Sequence, residues 1–467
     1  MKFKILSHAG LLVEAEGTRL VVDPWILGSC YWRSWWNYPK AARFCTEDVS
    51  YIYMTHIHWD HFHGPSLRKF PQSTTILVPK AFSMRLRDDL ADFNFKAIVE
   101  LPHGKTVRLA RELSVTSYQF DILDSSLVIE DGKTTIFDMN DCKIAGWPLR
   151  QIMRRHPRVD FMLRSHSSAQ PYPFCFDAED KEDLRFRNNE DYLADFVASA
   201  RLLKARCAIP FASNHCFLHE ETWRYNDTVV NPLHVKEYFD GHKPAGSECV
   251  VMVAGDSWDD QKGFQLQEQN FFTNREQHLQ KYAEEMAPVL REQYRKELNA
   301  KISFRDFDSY FGKLMKSLPW FSRFLFKPIV VFELHGQPDV HWVLDFDRKQ
   351  VYESKGGAPN YSICFRVHPL VLRDCVQKGM LTVFLPSKRM TVRLRKGCVK
   401  DYMILTRVFD LFDYGFLPLR GMLTFRSFQN WTRRWREIAH FAMLALRAMF
   451  KRNQQDALAE FVPRTAL

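Results

Sequence analysis

Met54-Thr-His-Ile-His-Trp-Asp-His-Phe-His-Gly64 is the stretch on which the reading of this chain turns. It sets His56, His58, Asp60, His61 and His63 within eight positions, directly after the apolar run Val49–Met54. A strand that ends in such a loop offers borderline nitrogen and oxygen donors to a divalent cation. His56 and His58 alternate, so an extended start aims both imidazoles to one side. Asp60 and His61 follow after a turn, placed for a second ion. A solvated histidine-rich loop is the plain alternative, but H-x-H-x-D-H after a buried strand rarely arises for structural reasons.

Around that loop lies a chain of 467 residues, enough for two or three domains. Hydrophobic residues make up 46% and aromatic residues 14%, a globular composition rather than a disordered one. The 10 cysteines form no C-x-x-C pair, which argues for reduced thiols and against a disulfide framework. The amino terminus enters a strand pattern without a signal-peptide apolar region, and no apolar run reaches spanning length. The expected location is cytoplasmic. A net charge of +10 invites a nucleic-acid or anionic-membrane partner. No nucleic-acid motif accompanies it, and much of the charge lies toward the carboxyl end, so nucleic acid is not expected.

Short strands are predicted over Lys2–Leu6, Gly10–Ala15 and Arg19–Val22, with Glu16-Gly-Thr as a hairpin turn. An aromatic loop, Trp25–Pro39, follows. Further strands are expected at Ser73–Pro79, Lys105–Leu109, Leu113–Gln119, Ser126–Glu130, Thr134–Met139, Asp160–Ser165 and Arg206–Phe211, with helices at Ala81–Phe93 and Asp191–Leu203. Asp131-Gly132 marks a second hairpin. The pattern suggests two sheets with helices outside. Four units are expected: residues 1–260 as a metal-binding domain, 261–318 as a helical extension, 319–400 as a small α+β domain and 401–467 as a basic helical tail.

The histidine loop, with Ser7-His8-Ala9-Gly10 and Val21-Val-Asp23-Pro24, resembles the metallo-β-lactamase superfamily. The order of motifs is most similar to the branch of ascorbate-6-phosphate lactonase and the phospholipase-D-like enzymes acting on N-acyl phosphatidylethanolamine. Three more pieces are similar to the metallo-β-lactamase-like part of CMP-N-acetylneuraminate hydroxylase. These are the Trp-rich loop after Asp23-Pro, Phe137-Asp-Met-Asn-Asp141-Cys, and Pro210-Phe-Ala-Ser with His219-Glu-Glu downstream. That enzyme also uses a Rieske cluster, and this chain lacks the combined C-x-H and C-x-x-H pairs needed for one.

The resemblance implies an α+β fold, an αββα sandwich with metal at the lips of its two sheets. It implies that His56 and His58 serve one metal, Asp60 and His61 the other, and that Asp141 bridges. The third ligand of the first metal is usually a histidine before the Ser126–Met139 hairpin, where this chain has none. Asp121 or Asp124 substitutes, or that position is weakened. Of His215, His166 and His219, His215 is the chosen last ligand. Such a site calls for two divalent ions, zinc first, with iron or manganese favoured as carboxylate replaces imidazole. Asp60 and Asp141 are the expected catalytic carboxylates. Trp25, Trp32, Trp35, Trp36, His63 and His219 are expected to line the place of a sugar- or lipid-like small molecule.

Three functions follow in order: hydrolysis of an ester, lactone or phosphoester; oxygenation at a dinuclear iron site; and a non-catalytic scaffold. The carboxyl half is loosely similar to a sterol-carrier-like domain. Its basic, Trp-containing tail over Phe425–Arg452 suits peripheral contact with an anionic membrane.

Overall fold

Alternation along Leu11–Ala15 and Thr18–Val22 sends Leu11, Val13, Leu20 and Val22 to one face and Leu12 and Val21 to the other. The two strands pair antiparallel across Glu16-Gly17, whose positive φ angles of 49° and 74° suit a tight hairpin turn. A computed structural model of the chain describes residues 1–451 other than 186, 269 and 358. The part of the expected tail at 452–467 lies outside the described residues.

This hairpin belongs to an eight-stranded sheet in the order Gly263–Gln265, Ser257–Asp259, Lys2–Ile5, Leu11–Ala15, Thr18–Val22, Tyr51–Tyr53, Thr75–Pro79, Ala97–Leu101. A seven-stranded sheet faces it, from Glu248–Cys249 through Cys207–Phe211, Phe161–Ser165, Thr135–Asn140, Asp124–Glu130 and Ser114–Phe120 to Thr106–Arg108. Phe3, Ile5, Val13 and Val22 of the first sheet meet Val115, Leu127, Ile136 and Phe161 of the second, fully buried between the layers. Each such side chain contributes roughly 1.5–3 kcal/mol by leaving water. Leu67, Phe70 and Leu90 cover the outer face of the first sheet. The helices Gly146–Arg155, Asn189–Leu203 and Pro232–His242 cover that of the second. The fold is therefore α+β, an αββα sandwich.

The carboxyl half is knit into this sandwich. Gly263–Gln265, expected to begin a helical extension, instead closes a hairpin with Ser257–Asp259 through Gly263 at φ 71°. Helices do follow, over Arg275–Leu298 and Phe304–Ser317. A six-stranded sheet then carries Ile329–Leu334, Gln337–Asp345, Gln350–Lys355, Ile363–Val367 and Met390–Leu394. Its sixth strand, Phe176–Ala178, comes from the first half of the chain and pairs parallel with Met390–Leu394. One apolar core runs from Trp25 and Trp35 to Phe307, Phe332 and Phe365. That continuity blurs the expected boundary at 260, which no composition shift on the pairing strands marks. Helices Val399–Asp413, Phe425–Arg433 and Trp435–Met449 finish the described chain.

Candidate metal centre

The strand Tyr51–Tyr53 runs parallel between Thr18–Val22 and Thr75–Pro79 and releases the histidine loop at one end of the sandwich. Thr135–Asn140 ends at the same lip and delivers Asp141. Two donor triads form there, His8 with Asp60 and His61, and His56 with His61 and Asp141. In each triad the donor atoms lie within 4.8 Å of one another, and His61 is common to both. His61 Nε2 lies 3.2 Å from Asp60 and 3.3 Å from Asp141, and His8 Nε2 lies 3.2 Å from Asp60. His58 sits at the rim, its Nδ1 2.9 Å from His56 Nε2.

Asp23 organises the back of this pocket. Its carboxylate accepts the Thr55 amide at 2.8 Å, the Thr55 hydroxyl at 2.6 Å and the Asn140 amide at 2.8 Å, and lies 2.8 Å from His61 Nδ1. His56 Nδ1 lies 2.9 Å from the Thr55 hydroxyl. Both histidines thus have Nδ1 engaged behind and Nε2 turned toward the pocket, the arrangement that fixes a metal-binding tautomer. Sequence reasoning took Asp23-Pro24 only as a motif. The feature that makes it a site residue, a carboxylate in the left-handed region, φ 42°, at a strand end, belongs to the folded backbone and is not written in the sequence.

Tyr31 was likewise missed as a site residue. Tyr31, Trp32 and Arg33 are consecutive left-handed residues, φ 52°, 55° and 65°, a conformation costing roughly 1–2 kcal/mol per residue. That turn brings the Tyr31 hydroxyl to Asp60, to which it donates at 2.5 Å.

Burial dominates the electrostatics. It pushes the imidazoles of His56, His58 and His215 below their usual range, leaving them neutral, which is the ligand form. Burial also opposes ionisation of Asp60, yet His61 and His8 outweigh it and hold the carboxyl well below its ordinary value. His215 is buried with neither ring nitrogen hydrogen-bonded among the described residues. It stacks on Trp35 at 3.7 Å, with its ring 5.4 Å from that of His8. Burial also opposes the charge on His61, but Asp60 and Asp23, with the hydrogen bond to Asp141, prevail and raise its imidazole well above the usual range. The neutral imidazoles of His56, His58 and His215, grouped with carboxylates, fit a site for divalent ions, whose charge would take the place of the His61 proton.

Other expected residues lie elsewhere. Asp121 occupies a left-handed turn, φ 56°, that directs its carboxylate to Arg407 at 2.6 Å and away from the pocket. Asp124 stays closer: burial first, then the charges of Asp121 and Asp141, raise its carboxyl to about 7. His219 joins a separate ion cluster through Glu297 at 3.2 Å. Cys216 and His219 have Cys-x-x-His spacing, but the chain contains no Cys-x-His, and Cys216 packs with Trp36 and Leu279. His63 lies 2.8 Å from the Ser66 hydroxyl, and burial lowers it to about 4. His166 is buried at the end of Phe161–Ser165, its amide held by the Ser213 hydroxyl at 3.1 Å.

The tryptophans form no open platform. Trp25, Trp35 and Trp36 are buried, and Trp32 donates to Asp374 at 3.0 Å. Loop residues of this size fill the space between sandwich and carboxyl half, so they pack as a wall. The cleft that reaches His56 is instead lined by Ile57, Leu86, Glu100, Leu123 and Tyr414.

No family model matches the chain. A Mycobacterium tuberculosis protein named for a Rieske 2Fe-2S cluster is 26% identical over 323 residues, covering 62% of this chain and 61% of that protein. The match thus spans less than two thirds of that relative's length. Over 69 residues the chain is 36% identical to the cytidine monophosphate-N-acetylneuraminic acid hydroxylase of Pongo pygmaeus, covering 14% of this chain and 12% of that enzyme. Among solved structures, a metallo hydrolase of Ignicoccus hospitalis aligns with TM-score 0.37 at 16% identity over 55% of this chain and 96% of its own. The diiron β-hydroxylase CmlA of Streptomyces venezuelae aligns with TM-score 0.37 at 15% identity, covering 54% and 52%. The solved relatives include the metallo-β-lactamase-fold protein YhfI of Bacillus subtilis, with TM-score 0.35, 14% identity and coverage of 55% and 99%. This chain is thus similar in sequence to Rieske-named mycobacterial proteins and in structure to metallo-β-lactamase-fold proteins.

Proposed function

We propose that this chain is a metal-dependent hydrolase of an ester, lactone or phosphoester, holding two divalent ions between His8, His56, His58, Asp60, His61 and Asp141. One observation carries the reading: two overlapping donor triads, buried but for the half-buried Asp141, meet at His61 on the lip between the two sheets. Divalent ions so held act as Lewis acids and lower the pKa of water. The protein's own part is positioning. Asp23 and Thr55 fix His61 and His56, while Tyr31 and His8 hold Asp60. Asp141 is 19% exposed, more open than Asp60, and is the carboxylate placed to accept a proton on the solvent side. The approach to His56 is lined by Ile57, Leu86 and Leu123 together with the polar Arg87 and Glu100, so it offers a substrate both apolar and charged contacts.

Oxygenation at two iron ions is the second reading. It is favoured by two carboxylates in the donor set and by the short stretch similar to a hydroxylase. Metal analysis of protein purified without chelator separates the two. About two zinc ions per chain with ester hydrolysis supports the first reading. Iron with substrate-dependent oxygen consumption replaces it with the second. Failure to retain metal, with activity unaffected by His56→Ala and His58→Ala together, removes both.

A further inference from the structure

The helix Phe425–Arg433 is mounted with its polar side inward, and Trp435–Met449 turns Glu437 and His440 inward beside Phe441 and Leu444. Ser427, Asn430, Arg434, Glu437 and His440 are buried. Arg426 donates to the Ala81 carbonyl at 2.8 Å and to Glu100 at 3.0 Å, and Arg434 pairs with Glu437 at 2.7 Å. The packing is close: a Cβ added at Gly146 would fall 2.3 Å from the His440 ring. Facing outward, Phe425, Phe428 and Trp435 are 75%, 58% and 52% exposed, with Ile438 and Leu423 beside them. A helix lying on a soluble surface normally has the opposite polarity.

The charge on this face is of one sign. Between residues 414 and 451 the cations are Arg420, Arg426, Arg433, Arg434, Arg436, Arg447 and Lys451, and Glu437 is the single acid. That acid is buried against Arg434, so among the described residues of this segment the outward face presents aromatic groups and arginines and no exposed carboxylate. A second copy of the chain would bring Arg433 and Arg436 against their own equivalents. An anionic lipid surface answers both the apolar and the cationic character. The helices have 9 and 15 residues, lengths of about 13 and 22 Å, short of the roughly 30 Å hydrocarbon core. No helix among the described residues is long and apolar enough to cross a membrane.

We infer that Phe425, Phe428, Trp435 and Ile438, flanked by Arg420, Arg433 and Arg436, dock this protein onto the surface of an anionic membrane. The docking does not depend on the reaction proposed above. Its place in the fold is telling, because Ala81 and Glu100, which anchor Arg426, also line the cleft that reaches His56. The docked face therefore lies beside that opening.

Vesicle sedimentation of the full chain tests the inference. The protein should pellet with vesicles of phosphatidylcholine and phosphatidylglycerol and far less with phosphatidylcholine alone. Phe425→Ser with Phe428→Ser should reduce the bound fraction by about tenfold or more, with an unchanged thermal melt because both rings are exposed. Arg433→Glu with Arg436→Glu should weaken binding by about fivefold per charge and abolish the anionic preference. Three results would each overturn it: no pelleting with anionic vesicles; pelleting indifferent to the double serine variant; or a solution dimer broken by that variant while vesicles are ignored.

Discussion

Two adjacent residues of the aromatic loop, Tyr31 and Trp32, reach two buried charge clusters of opposite construction. The Tyr31 hydroxyl donates to Asp60 in the histidine pocket, while the Trp32 carbonyl accepts from Arg389 at 2.9 Å. Arg389 is completely buried yet paired with Glu221 at 2.6 Å and Glu297 at 3.0 Å, and Glu297 also meets His219. Burial opposes the charge on Glu297, but the His219 hydrogen bond and Arg389 prevail and hold its carboxyl at about 2. Charge there is closed upon itself. In the pocket, imidazoles converge on one another and on carboxylates, and neither ring nitrogen of His215 has a hydrogen-bond partner among the described residues. A closed cluster fastens two parts of a fold, whereas convergent donors without partners mark a place for a ligand. The same residue type, histidine, therefore has different work at positions 61 and 219.

The sharpest way to break this contrast is to remove His61, the donor common to both triads. His61→Ala should lose the ion that its single free donor, Nε2, holds, and activity by more than the roughly 10–100-fold typical of a supporting residue. Metal analysis and turnover measure it, and full retention of metal would erase the distinction. Arg389→Met should do the reverse. Activity per folded molecule should persist, but stability should fall by about 3 kcal/mol because the buried Glu297 and the half-buried Glu221 lose their shared cation. Denaturant titration of metal-stripped protein gives that value.

Lys388 supplies an intermediate case. It is fully buried, with its ammonium 5.2 Å from the Phe217 ring and 5.3 Å from that of Phe174, and burial lowers its pKa from 10.5 to about 8. Between those values the unfolded chain holds the proton and the folded chain has released it. Stability should therefore rise with pH from 8 toward 10.5, by up to about 3 kcal/mol. Lys388→Met should flatten that part of the profile, and an unchanged slope would assign it to other groups. The smallest effect is expected at Asp23, which orients His61 from behind. Asp23→Asn should weaken metal affinity by roughly 10–100-fold while leaving the donor residues in place. Competition with a chelator reads it directly.

Much of the sandwich was legible before any coordinates. The Glu16-Gly17 and Asp131-Gly132 hairpins rest on adjacent residues, and the predicted strands around them match the structure to within one or two positions. The clustering of His56, Asp60 and His61 was equally legible, being written within a few residues of one strand end. Less visible were the short strands that use partners far away. Phe176–Ala178 pairs with a strand more than 200 residues downstream, and His215–Phe217 pairs with Trp35–Asn37 across the aromatic loop. Three-residue strands carry too little periodicity to announce themselves.

The amino-acid sequence alone determined the donor loop, the alternating strands and the excess of arginine in the last helices, because each depends on neighbours a few bonds apart. Tertiary structure alone decided that Asp121 turns to Arg407, that His219 closes an ion cluster, that four tryptophans form a wall and that Phe425 and Phe428 face outward. Those outcomes depend on which distant groups compete for the same buried space, and a side chain's chemistry does not reveal its partner until the chain has folded around it.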